Sequence, residues 1–127
     1  MGFTESGRRI LERDLSQNNP RVERRYREIE RILALREEAE TRLRSAPLQM
    51  TEEEKGTLSL SPKELAKLKV EFQWLNYRLG LIDTEQRTQN INNILNNLDE
   101  ETLRVLLAVD EQGRSILAEI RDKVMTY

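Results

Sequence analysis

The chain has no cysteine and no histidine. Without cysteine it has no disulfide and no thiolate nucleophile, and without histidine it lacks the commonest general base and a principal zinc ligand. Five glycines in 127 residues are scattered along the chain, so no glycine-rich loop exists to cradle a phosphate. No run approaches the length of apolar residues that a membrane span needs, and no charged-then-apolar leader of the secretory type opens the sequence. No segment alternates apolar and polar residues between turn signals, which leaves β-structure without support. These absences argue against an enzyme, a cofactor, a resident metal and a membrane protein. They point to a soluble chain that works in the cytoplasm or inside an assembled particle.

What the chain does have is charge. Charged residues make up 35% and apolar residues 37%, with a net charge of only −2. That balance belongs to long amphipathic helices, each burying one stripe and solvating the rest of its circumference. Residues 1–47 hold eleven arginines, no lysine and nine acids, whereas residues 48–127 hold ten basic and fourteen acidic residues. The excess of positive charge is too small to announce a nucleic-acid protein.

The most informative stretch runs from Ser61 to Leu98. Ser61, Pro62 and Glu64 make a helix start, with a capping serine, a proline at the first position and a glutamate at the third. Two apolar stripes follow at helical spacing. One is Leu65, Leu68, Phe72, Leu75, Leu79 and Ile82; the other begins with Val70, Trp74, Tyr77 and Leu81 and continues to Leu98. Two stripes place a helix between neighbours. Read as continuous through Gly80, the segment predicts a spine roughly 55 Å long. Asp83 with Gln86 offers the competing reading, a fresh helix start.

Around this spine the remaining elements fall in order. Residues 1–19 form an N-terminal arm with a short helix, capped by Thr4 and carrying Ile10, Leu11 and Leu15. Its Gly2 and Ser6 fit a loose acylation pattern that the ordinary-helix reading outweighs. Asn19 and Pro20 start a helix that stops before Pro47. Its buried side should include Val22, Tyr26, Ile29, Ile32, Leu33, Leu35, Ala39, Leu43 and Ala46. Opposite charges four apart, such as Glu23 with Arg27 and Arg36 with Glu40, support the exposed side. Residues 47–60 are a connector, with a helical turn begun at Thr51 and ended by Gly56. After a corner at Asn97–Asp99, a last helix over 100–124 should bury Leu103, Leu106, Leu107, Val109, Leu117, Ile120 and Val124, bending at Gly113. The fold class is therefore all-α: a single domain over 1–127, an elongated antiparallel bundle with a short N-terminal helix and long helices at about 20–46, 62–97 and 100–124.

Two patches are candidates for function. Val70, Trp74, Tyr77 and Leu81 are interface candidates, because the segment 65–82 is apolar over more circumference than one neighbouring helix covers. Arg21, Arg24, Arg25, Arg27 and Arg31 make a basic face suited to an anion or an acidic partner, although Glu23, Glu28 and Glu30 lie among them. The expected role is a non-enzymatic protein–protein interaction protein, an oligomeric assembly subunit, adaptor or chaperone of the virion or appendage type. A spine longer than its flanking helices asks for a second copy to cover the overhang. A small inhibitor that occludes a partner, of the phage anti-defence type, is the alternative. A nucleic-acid binder using the arginine face is a weaker one.

Overall fold

The computed structural model describes residues 19–127, so the expected N-terminal helix and the Gly2 pattern lie outside the described residues. The described chain is all α-helical. Its elements are α1 (Pro20–Ser45), a 3₁₀ turn (Pro47–Gln49), α2 (Glu52–Leu58), α3 (Pro62–Arg78), α4 (Thr84–Asn96), α5 (Glu100–Leu107) and α6 (Ile116–Met125). α3 is the hub, since it packs against α1, α4, α5 and α6. That is the sandwiched position its two stripes call for.

Local chemistry sets most of the boundaries. The Asn19 side chain accepts the amide of Arg21, with Pro20 at the first position of α1. Thr51 and Glu54 form a reciprocal capping box at the start of α2. Ser61, Asp83, Asp99 and Ser115 accept the amides of Glu64, Gln86, Thr102 and Ala118. At Asp99 the Thr102 hydroxyl also donates, at 2.6 Å, and these bonds hold the carboxyl below its ordinary range.

The continuous spine is the main correction. The expected helix over 62–97 is two helices, because Gly80 takes φ +77° and closes α3 with a Schellman motif. The Gly80 amide donates to Tyr77 O and the Leu81 amide to Asn76 O, at 3.0 and 2.9 Å. Asp83 then restarts the chain as α4, which folds back on α3.

The expected helix over 100–124 also divides. α5 ends at Leu107, and a tight reversal at Gly113 (φ +77°) leads into α6, pairing Val109 with Ser115 in an isolated bridge. Asp110 organises this reversal by accepting the amides of Gln112 and Arg114 on one carboxylate oxygen. Leu107 and Val109, expected in the core, are exposed because the chain leaves the helix there. The corner expected at Asn97–Asp99 is present, with Asn97 closing α4 at φ −95° and Asp99 capping α5. Gly56 does not end α2, which runs on to Leu58.

The main core joins α1, α3 and α6 through Val22, Tyr26, Ile29, Leu75, Leu79 and Val124. Phe72 stacks on Tyr26 at 5.1 Å between ring centroids. Ala66 and Val70 of α3, Leu106 of α5 and Ile120 of α6 are buried as well, on three helices that touch one another. Of the expected inner residues of α1, Val22, Tyr26, Ile29 and Ala39 are buried and Ile32, Leu33, Leu35 and Ala46 half-buried, whereas Leu43 is exposed. Of the named charge pairs four apart, Arg36–Glu40 forms at 2.8 Å, while Arg27 turns from Glu23 to Glu30.

Candidate functional site

The five arginines proposed as one face divide into two groups with different work. Arg25 turns inward. Its Nε and Nη2 donate to the two carboxylate oxygens of Glu71 on α3, at 2.6 and 3.1 Å, and its Nη1 donates to Glu28. Glu71 is almost fully enclosed, and Lys123 of α6 approaches it at 3.5 Å. The bidentate bond and the charge of Glu71 raise the guanidinium above its ordinary pKa, against the opposing effect of burial. Arg25 is therefore a staple between α1 and α3. Arg78 does similar work at the end of α3, donating to the carbonyls of Val124 and Tyr127.

Arg24, Arg27 and Arg31 face outward, on one stripe at spacings of three and four. They rim an open groove of about 760 Å³ between α1 and α2. The α1 wall continues through Ile32 and Leu35, both half-buried. The opposite wall is Glu53, Gly56 and Thr57 of α2, with Leu60 just beyond. Arg31 bridges the walls to Glu53 at 2.8 Å, but both side chains are largely in solvent, so the pair holds little. Arg27 meets Glu30 at a loose 3.8 Å. Arg24 makes no ion pair among the described residues, and neither does Arg21.

The wall is fixed from below by polar groups. Glu54 is buried, with Oε1 accepting from the Thr51 hydroxyl at 2.9 Å and Oε2 lying 3.3 Å from Arg42 Nε. The latter is an ion pair without hydrogen-bond geometry, since Oε2 has no hydrogen-bond partner. Arg36 donates to Thr57 O at 2.6 Å, and Arg42 donates to Gln49 O at 2.9 Å.

The second candidate patch is mostly covered by the chain itself. Val70 is fully enclosed and Leu81 packs half-buried against the core. The Trp74 and Tyr77 rings meet nearly at right angles, with centroids 6.1 Å apart. Arg87 of α4 lies over both, 4.2 Å from the Trp74 centroid and 4.4 Å from that of Tyr77. Asn90 to Gln73, at 2.8 Å, adds a second tie between α4 and α3. The excess apolar circumference of this helix is thus taken up by α4.

Sequence reasoning missed the groove itself. Its signal was present in Glu53, Gly56, Thr57 and Leu60, a helical stripe obscured by reading Gly56 as a stop. Among the described residues no three His, Cys, Asp or Glu side chains gather as a metal site, and no helix is long and apolar enough to cross a membrane. Compared with known proteins, the chain matches no family, no curated sequence and no solved structure.

Proposed function

We propose that this chain is a non-enzymatic protein–protein interaction protein, an adaptor or assembly subunit whose working surface is the groove between α1 and α2. The observation that supports this reading is the open groove with an apolar wall and arginines along its rim. Apolar grooves with a charged border receive partner segments in the helix-in-groove mode. The composition supports a non-enzymatic role, since acid–base and nucleophilic chemistry would need groups that the chain lacks or does not assemble. The cysteine-free composition suits a reducing compartment, and a cytoplasmic or particle-bound place of work is part of the proposal.

The partner is a protein rather than a nucleic acid, because Arg25, Arg27 and Arg31 already carry carboxylate neighbours and Glu28 and Glu53 line the same groove. The overhang that motivated a homo-oligomer is gone, because the spine folds back at Gly80. A second copy remains one identity the partner can have.

A photo-crosslinking residue at Leu35, inside the groove, tests the reading in the full chain within its own cell. The fully exposed Leu48, outside the groove, is the control position. A discrete protein adduct from position 35 and none from position 48 is the expected result. An adduct containing two copies of this chain would identify an assembly subunit. No discrete adduct at position 35 would overturn the proposal.

A further inference from the structure

The groove also carries information about what fills it. From Arg24 to Leu35 its α1 wall spans twelve residues, about 16 Å or three helical turns. The opposing stripe of Glu53, Gly56, Thr57 and Leu60 repeats every three to four residues. Two helical ridges with an apolar trough between them offer a seat to a third helix.

Gly56 is the unexpected residue of the trough. It lies inside α2, where glycine is among the poorest helix formers, and its φ is not positive. A Cβ built on it would meet nothing within 4 Å. Neither the backbone nor the packing of this chain asks for glycine at that position. What its missing side chain does is keep the groove wall flat, where another backbone can approach closely.

The rim supplies a preference of sign. Arg24 has no ion pair among the described residues, Arg27 has a loose one, and Arg31 has an exposed one that exchanges readily. Glu28 is engaged by Arg25, and Arg31 and Glu53 meet each other across the groove, which leaves Arg24 and Arg27 as the available groups.

Resting on the groove being the working surface, we infer that its occupant is an amphipathic α-helix of another protein, with acidic side chains beside an apolar stripe, seated against Gly56. A second copy of this chain offers a poorer match, because the helix it would present along this face bears arginines. A nucleic acid gains nothing from the apolar wall.

The test uses the full chain and a fluorescent designed helix of about 18 residues, with leucines at alternating spacings of three and four and glutamates on both flanks. A control peptide replaces every glutamate with lysine. By anisotropy the acidic peptide binds about tenfold more tightly or better, and raising the salt narrows the gap. The double variant Arg24→Ser/Arg27→Ser loses most of that preference. Gly56→Ala raises the thermal midpoint yet weakens peptide binding several-fold, a split that a purely structural glycine would not give. Gly56→Trp abolishes binding while circular dichroism stays helical. Equal binding of the two peptides, or binding unaffected by Gly56→Trp, would sink the inference. A crosslink at Leu35 combined with either result would overturn only this partner chemistry and leave the interaction reading standing.

Discussion

The two halves of α1 are held down by different physics. The first half is seated by Val22, Tyr26 and Ile29, which enter one apolar core with Leu75, Leu79 and Val124. Even its main ion pair, half-buried Arg25 with the nearly enclosed Glu71, reaches across to α3. The second half, of the described residues, fully buries only Ala39 and meets α2 through Arg36, Arg42, Glu54 and Thr57. Burial of apolar surface resists local opening because its loss exposes the whole core. Polar pins can release one at a time into water. The groove joins the two: its α1 wall, from Arg24 to Leu35, lies mostly on the outer side of the core-held half, and its other wall is α2, which the polar pins hold.

The largest effect should come from the apolar half. Leu75→Ala removes a fully enclosed side chain from the centre of that core. Urea unfolding should show a loss of about 3 kcal/mol in a single transition, within the range found for buried leucines. A loss below about 1 kcal/mol would mean the core repacks freely around α3. The contrast between the two halves would then lose its basis.

Which of these features could be read beforehand follows from how local each one is. Asn19–Pro20, Thr51–Glu54, Ser61–Pro62 and Asp99 announce helix starts, because a cap and the amides it satisfies lie within four residues. The helical class and the inner side of the first half of α1 follow from spacing alone. Gly80 was harder. The stripe from Val70 to Leu81 runs into Thr84 and Thr88 without losing phase, and a single glycine costs a helix too little to decide between bending and stopping. The outcome rests on α4 folding back on α3, with Arg87 lying over Trp74 and Tyr77. Arg25 and Glu71 stand 46 residues apart. Helical spacing does set Arg25, three residues from Val22 and four from Ile29, on the inner side and Arg24, Arg27 and Arg31 on the outer one, but it cannot say that Glu71 is the carboxylate Arg25 meets. The groove showed only one of its walls, the stripe from Glu53 to Leu60, because it exists only once α2 is packed on α1.

A smaller and more local effect should follow from loosening the polar half. Glu54→Ala deletes one arm of the capping box and the carboxylate facing Arg42, at a cost of about 1–2 kcal/mol. Amide exchange should quicken in α2 and at the end of α1, while the amides around Leu75 keep their protection. Equal acceleration around Leu75 would show that the two halves open as one unit. The division argued from their contacts would then be wrong.

The smallest change sharpens what pins that half. Glu53→Gln removes the negative charge that Arg31 meets across the groove, while keeping the shape of the side chain. Both partners are about two-thirds exposed, at 68% and 63%, so solvent already supplies most of what the pair would lose. Stability should therefore change by no more than about 0.5 kcal/mol in chemical unfolding. The same substitution releases Arg31 to a carboxylate from outside, so binding of an acidic helix should tighten. A fall in stability well above that value, with binding unchanged, would mean the Arg31–Glu53 bridge clamps α2 onto α1. Stability unchanged with tighter binding would mean that the bridge only occupies the rim, and that the buried pins beneath it hold the wall in place.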